Sequence, residues 1–208
     1  LRALRVLKEA DLILCEDTRV TKRLLMHYHI ETPTMSYHEH SGKVKVDKIA
    51  ELLKEGTKLA LVSDAGTPGV SDPGSYLIQL LREMLGEDFS AEVIPGPSAL
   101  TSAIAIAGVR ADEFVFLGFI PHKKGRETLF SEIAHIPRAV VFYESPHRIV
   151  RTLEALGRHI GERKMYLCRE LTKIHEEVLV GNAEELQKIL EDTPEKIRGE
   201  FVVIVSPL

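Results

Sequence analysis

Residues 59–74, with the sequence LALVSDAGTPGVSDPG, constrain the fold of this chain more than any other stretch. They open with four consecutive apolar residues and continue into a polar loop rich in glycine and proline. Because no polar residue alternates through the apolar run, we predict a strand that is covered on both faces, as in a parallel sheet. Open α/β sheets bind ligands at the carboxyl ends of their strands, so the loop that follows is predicted to be a binding loop.

The make-up of this loop favours a small neutral or cationic ligand that is held largely by main-chain groups. Its glycines permit tight turns and close approach of a ligand, whereas its prolines remove N–H donors that a phosphate cradle requires. Asp64, at the end of the strand, could accept a hydrogen bond from a hydroxyl or an amine. The alternative is an ordinary strand-to-helix turn with Asp72 as N-cap and Pro73 as first helical residue, which explains only residues 71–74.

Strands alternate with helices along the first part of the chain, which predicts a mostly parallel sheet. The predicted strands are residues 12–15, a short piece ending at 37, residues 59–62 and residues 91–94, and the predicted helices are residues 1–10, 18–29, 46–55, 75–85 and 98–108.

After a boundary near residues 109–113 the pattern becomes α+β with a mixed sheet. The predicted strands there are residues 114–119, 139–144, 165–168, 177–180 and 201–205. The third and fourth of these are joined too briefly for a helical crossover and should be antiparallel. Ser145 and Pro146 are predicted to begin a helix that ends at Gly161, and Asn182 is predicted to cap another. We therefore predict two domains, residues 1–110 and residues 111–208.

Charge and cysteine usage narrow the function classes. The net charge of −4 gives no whole-molecule attraction to nucleic acid, so any such binding needs a local basic patch. Cys15 and Cys168 lie in separate apolar segments without a C-x-x-C motif, which indicates buried free thiols in a reducing, cytoplasmic compartment. No apolar run approaches a membrane span, and no signal peptide is visible.

Polar side chains cluster at the ends of four predicted strands, at residues 16–19, 63–64, 144–148 and 169–173. Strand ends on one sheet edge converge, so the four clusters together favour one site. Taken singly, each charge is better explained by pairing with its own helix start. Residues 37–40, YHEH, lack the spacing of a closed metal site, and we predict no metal.

A short basic loop, HKKGR at residues 122–126, is where phosphates of a polyanionic partner would bind, with an ordinary solvated loop as the alternative. No interleaved aromatic residues support base stacking, so sequence readout is not predicted.

Five motifs in order make the chain similar to a known enzyme family. They are CEDTR at residues 15–19, VSDAGTPGVSDPG at 62–74, PGPSAL at 95–100, FYESPHR at 142–148 and RELTK at 169–173. Over essentially the whole chain they resemble the bacterial 16S rRNA (cytidine 2′-O) ribose methyltransferase family, which belongs to the tetrapyrrole-methylase fold group. The family begins with a strand and an Ala-Thr-Pro-Ile-Gly-Asn-Leu-type loop that this sequence lacks, so we expect the first domain to be short of one central strand.

This resemblance implies a two-domain α/β fold, with a mostly parallel N-terminal sheet and a mixed C-terminal sheet. It also implies S-adenosyl-L-methionine (SAM) between the domains, a homodimer, and 16S rRNA of the small ribosomal subunit as substrate. Together with Asp64 from the strand-end argument, the cofactor residues it implies are Ala65, Gly66, Thr67, Val70, Ser98, Ala99, Tyr143, Glu144, Leu171 and Thr172.

For the chemistry, we hypothesise that Lys173, Glu144 and Asp17 line the acceptor side. A ribose 2′-hydroxyl is a weak acid, so a lysine of lowered pKa could take its proton, or a charged lysine could stabilise the developing alkoxide. The residues predicted to contact RNA phosphates are Arg19, Lys123, Lys124, Arg126, Arg148 and Arg169. The alternatives are a methyltransferase of the same fold that acts on a tetrapyrrole precursor, and a non-catalytic module that binds SAM or the ribosomal subunit.

Overall fold

The structure is a computed structural model that describes residues 1–38 and 41–208. Its contacts divide the chain into two compact units, Leu1–Ser98 and Ala99–Leu208. The domain boundary predicted at residue 110 stays a prediction, although the helix that begins at Ala99 belongs by its contacts to the second unit. Glu39 and His40 of the YHEH motif lie outside the described residues.

The first unit is built on parallel strands, as the alternation of strands and helices predicted. Its elements are α1 (Arg2–Glu9), β1 (Leu12–Cys15), α2 (Thr18–His27), β2 (Thr34–Ser36), α3 (Lys43–Lys54), β3 (Leu59–Val62) and α4 (Ser75–Leu85). The sheet order is β2-β1-β3, and β1 is parallel to both of its neighbours. The carboxyl ends of these strands therefore lie at one edge of the sheet, where the polar clusters follow.

Both faces of this sheet are covered, as the apolar runs predicted. Alternate side chains of a strand point to opposite faces. Ile13 packs with Leu7 and Leu25 in one buried cluster, whereas its neighbour Leu14 packs with Ile49 and other residues in a second cluster. Burial of these side chains on both faces fixes where the ends of β1 and β3 lie.

The strand predicted at residues 91–94 is wrong. Residues 91–98 form no regular element, and Val93 is 71% exposed. A strand exists only through ladder hydrogen bonds to a neighbour, and no described strand pairs with this segment. The apolar composition of the segment was therefore a misleading signal.

The second unit has the mixed sheet that was predicted. Its elements are α5 (Ala99–Ala107), β4 (Phe114–Phe119), α6 (Arg126–His135), β5 (Ala139–Glu144), α7 (Ile149–Ile160), β6 (Met165–Arg169), β7 (Glu177–Gly181), α8 (Ala183–Asp192) and β8 (Phe201–Val205). The sheet order is β4-β5-β8-β6-β7, in which β4 and β5 are parallel and the other neighbouring pairs are antiparallel. Side chains of α6, α7 and α8 cover one face of this sheet, and side chains of α5 pack against the other.

Two predicted helix starts in this unit can be compared with the structure. Asn182 accepts a hydrogen bond from Glu185 N at the start of α8 and forms the reciprocal capping box, which confirms the predicted cap. The start predicted at Ser145 and Pro146 is wrong, because α7 begins four residues later than Ser145 with Arg148 as its N-cap. Ser145 donates its N–H to the Glu144 carboxylate, and the chain makes a turn before the helix.

The two cysteines are free and buried, as predicted. Burial raises the pKa of the Cys168 thiol to about 11, so this side chain is a neutral thiol at neutral pH. Among the described residues, no helix is both long enough and apolar enough to cross a bilayer.

Candidate active site

A cleft in the first unit gathers the polar residues that follow its strands. It encloses about 500 Å³ and is lined by Glu16, Asp17, Thr18, Arg19, Ser36, His38 and Asp64. The ends of β1 and β3 are joined there, because Asp17 N donates to Asp64 Oδ1 over 3.3 Å. Ser36 and His38 were not predicted, although the parallel pairing of β1 with β2 places the residues after β2 at this edge. Three acidic side chains and one arginine leave the cleft acidic.

Asp17 is the N-cap of α2. Its Oδ1 accepts from Arg19 N over 2.8 Å, and its Oδ2 accepts from the Arg19 guanidinium over 2.6 Å. The hydrogen bonds from the Arg19 side chain, followed by that from its backbone, lower the Asp17 pKa from 3.8 to about 2. The predicted RNA contact Arg19 is therefore paired within its own helix turn, with most of its side chain exposed.

The Arg19→Ala variant should raise the Asp17 pKa from about 2 towards 3.8, because the main cause of the shift is removed. In the native protein this carboxylate stabilises the fold above its unfolded pKa, and that contribution is lost as the pH falls through about 2. The check is an NMR titration of the Asp17 carboxyl carbon in both proteins. Identical midpoints would show that Arg19 does not set the pKa.

The loop after β3 is folded tightly on itself. Gly66, Gly69 and Gly74 have positive φ angles of 77°, 81° and 144°, and Ser71 also has a positive φ, of 61°. A Cβ at Gly74 would lie 2.9 Å from Leu61 Cδ2 and 3.2 Å from Gly69 N. The close approach of Gly74 to Leu61 and Gly69 therefore requires glycine at this position, and the interpretation of the segment as a binding loop stays a prediction.

The Gly74→Ala variant should lower the free energy of unfolding by about 2 kcal/mol or more, because it adds a close contact to an unfavourable φ. It should also weaken cofactor binding, which calorimetry would measure. The matched control is Gly56→Ala, where φ is 85° but no atom of the described residues lies within 4 Å of the new Cβ. We expect the control to cost about 1 kcal/mol. Equal losses in the two variants would show that the loop does not need the close approach at Gly74.

In the second unit, Glu144 is the centre of a buried hydrogen-bond network at the end of β5. Its side chain is fully buried and accepts from Ser145 N at 2.8 Å, Thr152 Oγ1 at 2.7 Å and the Arg148 guanidinium at 2.6 Å. Arg126 in turn donates to Thr152 Oγ1 over 2.8 Å. The network thus connects the basic loop to the strand end that carries Tyr143 and Glu144.

This network changes the interpretation of two predicted RNA contacts. Arg148 is only 15% exposed and also donates to Ile120 O over 2.9 Å. Arg126 is half-buried, donates to Thr152 and lies over the Phe130 ring. Thr152 was not predicted, although a buried polar residue on the apolar face of α7 is a signal that sequence analysis could have used.

The RELTK motif forms a strained turn after β6. Glu170 and Thr172 have φ angles of 49° and 65°, a region that a β-branched threonine rarely occupies. Lys173 Nζ donates to Glu170 Oε1 over 2.9 Å and lies 3.5 Å from Glu200 Oε2. Hydrogen bonding to Glu170 raises the Lys173 pKa, so this lysine is charged at neutral pH. Leu171 is held between the two strained residues.

Arg169, at the end of β6, is buried and lies 3.4 Å from the Glu177 carboxylate. Glu144 and Arg169 both pair in register with Phe201 of β8, so they flank the same position at one edge of the sheet. The four polar clusters predicted at strand ends therefore lie together in pairs. Residues 16–19 and 63–64 meet in the first unit, and residues 144–148 and 169–173 lie at the same sheet edge in the second.

The basic loop is exposed over residues 121–125 and includes Lys123 and Lys124. Phe119, which is separated from this exposed stretch by the buried Ile120, is 55% exposed and meets the Tyr143 ring edge-on at a centroid distance of 5.4 Å. This aromatic pair was not predicted, because the two residues are far apart in sequence.

Comparisons with known proteins identify the family. Residues 1–187 match the family model described as Tetrapyrrole (Corrin/Porphyrin) Methylases. Among solved structures, diphthine synthase is similar with a TM-score of 0.72 at 13% identity, covering 99% of this chain and 83% of that one. A cobalt precorrin-4 methyltransferase of cobalamin biosynthesis is similar with a TM-score of 0.68 at 14% identity, covering 99% and 87%. These structures support the fold alone.

Proteins matched by sequence share more identical residues with this chain than the solved structures do. A protein of Thermotoga maritima named ribosomal RNA small subunit methyltransferase I is 43% identical over 99% of this chain and 90% of its own. Proteins of the same name from Coprothermobacter proteolyticus and Neisseria meningitidis are each 42% identical over 100% of this chain, and over 90% and 70% of their own lengths.

The family model and the sequence relatives together place this α/β chain among the methyltransferases. The chain belongs to the tetrapyrrole (corrin/porphyrin) methylase family. Enzymes of this family use SAM as methyl donor, and this chain is a SAM-dependent methyltransferase. The resemblance drawn from the five motifs is thereby confirmed, as is the predicted α/β fold.

Proposed function

We propose that this protein transfers a methyl group from SAM to the ribose 2′-hydroxyl of a cytidine in 16S rRNA of the small ribosomal subunit. The observation that carries the proposal is the 42–43% identity along essentially the whole chain to relatives named for small-subunit rRNA methylation. Both motif-bearing strand ends of the second unit, at Glu144 and Arg169, are formed in the structure, which supports the same reading.

SAM supplies an electrophilic methyl group on a sulfonium ion and also carries an ammonium and a ribose. The acidic cleft beside Asp64 and the glycine-rich loop after β3 suit such a ligand, because carboxylates and main-chain groups can bind cations and hydroxyls without a phosphate cradle. We propose that the first unit binds SAM through Asp64, Ala65, Gly66, Thr67, Val70 and Ser98. In the second unit, the residues proposed to bind it are Ala99, Tyr143, Glu144, Leu171 and Thr172.

On the acceptor side, we propose that Lys173 acts as a cation. A general base needs a lysine that is neutral near pH 7, whereas hydrogen bonding to Glu170 raises the pKa of this one. A fixed ammonium can stabilise the charge that develops on the 2′-oxygen as its proton leaves. Glu170 and Glu200 restrict where the ammonium can lie.

Glu144 and Asp17 have positioning roles in this proposal. The Glu144 carboxylate accepts from Ser145 N, Thr152 Oγ1 and the Arg148 guanidinium, so its charge holds Arg148 and the turn before α7. Asp17 holds the start of α2 and contacts Asp64 through its backbone N–H.

For RNA, the exposed cations are the better candidates for phosphate contacts. We propose that Lys123, Lys124 and Arg19 contact phosphates directly. Three other predicted contacts form hydrogen bonds or ion pairs with protein groups, so we propose that they hold the RNA-binding surface in place without contacting phosphates; these are Arg126, Arg148 and Arg169.

We also propose that the protein works as a cytoplasmic homodimer, as the family resemblance implies, and light scattering would measure its mass in solution.

The test is transfer of a labelled methyl group from SAM to small ribosomal subunits that lack the modification. A 2′-O-methyl group removes the nucleophile of alkaline cleavage, so the label should appear in an alkali-resistant dinucleotide that begins with cytidine. Label on a base would contradict ribose methylation. Transfer to a tetrapyrrole precursor and not to the subunit would support the alternative substrate, and SAM binding without transfer to either would support a non-catalytic module.

A further inference from the structure

We propose that Phe119 is a stacking platform for an unpaired nucleobase of the RNA, and that Lys123 and Lys124 hold the neighbouring phosphates. This inference rests on the proposed function and adds a specific contact to it. No aromatic residues are interleaved with the basic loop in the sequence, but the fold places the exposed ring of Phe119 near the start of that loop.

The first observation is the backbone at the end of β4. Phe116 pairs with Val141 and Phe119 with Tyr143, so β4 uses one more residue than β5 over the same stretch. The extra residue makes a β-bulge, and Gly118 has a positive φ of 63° within it. Bulges redirect side chains at strand ends and beside active sites. Here the bulge brings Phe119 beside Tyr143.

The second observation is how the ring is held. Phe116 and Phe119 both meet Tyr143 edge-on, with centroid distances of 5.0 and 5.4 Å. Phe119 nevertheless remains 55% exposed. A ring that is held by its neighbours but open to solvent loses little conformational entropy when a base stacks on it. Proteins that bind single-stranded nucleic acids use exposed aromatic rings in this way.

The third observation is charge. Ile120 is buried and anchors the chain, after which residues 121–125 are exposed and contain His122, Lys123 and Lys124 without an acidic residue. Lys123 and Lys124 follow Phe119 by four and five residues, a chain length that reaches at most about 18 Å, so both lysines lie within a few nucleotides of a base on Phe119. An exposed aromatic ring beside two lysines is better suited to bind RNA, which has both bases and phosphates, than to bind an apolar protein surface.

The decisive experiment is a substitution series assayed by methyl transfer to small subunits. We expect Phe119→Ala and Phe119→Leu each to raise KM for the subunit about ten-fold, with little change in kcat, whereas Phe119→Tyr and Phe119→Trp should stay within about two-fold of the native protein. Leucine can still pack against Tyr143 but has no aromatic ring on which a base could stack. The Phe119→Leu variant therefore distinguishes loss of base stacking from loss of packing within the protein. Phe114→Leu is the matched control, because Phe114 is also exposed on β4 but lies at the opposite end of the strand.

A direct measurement is available because the chain contains no tryptophan. The Phe119→Trp variant carries a single tryptophan, whose fluorescence a short single-stranded oligoribonucleotide should quench at low salt, while Phe114→Trp should not respond. An abasic ribose-phosphate oligomer should not quench either variant.

Two outcomes would overturn the inference. One is a Phe119→Leu variant with the native KM, and the other is quenching of the new tryptophan by SAM alone, which would assign the ring to the adenine of the cofactor. If the native protein methylates the subunit and either outcome is found, the proposed function stands and the stacking site fails. If the native protein does not methylate the subunit, the proposed function fails, and quenching by the oligoribonucleotide reports on stacking separately.

Discussion

Replacing Lys173 with alanine should reduce kcat for methyl transfer to the small subunit by about 100-fold or more, while SAM affinity stays within about two-fold. The reason is that the variant removes a fixed positive charge from the turn proposed to face the acceptor oxygen. Loss of one preorganised donor at a developing oxyanion typically costs two to three orders of magnitude in rate. Single-turnover kinetics with saturating SAM would measure kcat, and calorimetry would measure the cofactor affinity.

Two controls sharpen this prediction. Lys173→Arg keeps the positive charge and should retain a substantial part of the rate, although the guanidinium has a different shape. Lys164→Ala removes another exposed lysine, located just before the opposite end of β6, and should leave kcat unchanged. Full activity in the Lys173→Ala variant would eliminate Lys173 as the acceptor-side cation.

Replacing Glu144 with alanine should lower the free energy of unfolding by about 3–5 kcal/mol, which corresponds to a melting temperature roughly 6–20 °C lower. The carboxylate is completely buried and Arg148 is only 15% exposed, so the variant leaves a guanidinium almost without solvent and without its counter-charge. Ser145 N and Thr152 Oγ1 lose their acceptor as well. Thermal unfolding followed by circular dichroism would measure the effect.

The matched control is Glu154→Ala on α7, the helix that begins after Arg148. Glu154 is paired with Arg158, but both side chains are more than half exposed, so the variant should change the free energy of unfolding by less than about 1 kcal/mol. Glu144→Gln should lie between the two, because the amide keeps an acceptor but loses the charge. If Glu144→Ala melts like the native protein and only loses turnover, the carboxylate acts on the substrate and not on the fold.

The structure changes what such a result would mean for the site. From sequence, Glu144 was a candidate catalytic residue on the acceptor side and a candidate SAM contact, and Arg148 was a candidate phosphate contact. In the structure they are partners of each other, together with Thr152 one turn further along α7. Their expected effect on activity is therefore indirect, through the strand end that carries Tyr143 and through Arg126 at the end of the basic loop.

Local signals in the sequence were sufficient for most of the fold. Apolar runs bounded by glycine, proline and capping residues defined β1, β3 and the strands of the second unit, because each such signal acts on residues close together in the chain. The loop after β3 was recognisable for the same reason, since its glycines and prolines restrict the backbone wherever the rest of the chain lies. The order of the five motifs was enough to predict the family.

Only the tertiary structure decided matters that depend on distant neighbours. Residues 91–94 have the composition of a strand but have no ladder partner among the described strands. The pKa of Lys173 is raised by its hydrogen bond to Glu170 and by Glu200, which is 27 residues away. The exposure of Phe119 results from a bulge against β5 and a contact with Tyr143. Hydrogen-bond ladders, ion pairs and burial form between whichever groups the fold brings together, and the spacing of residues along a single chain does not specify them.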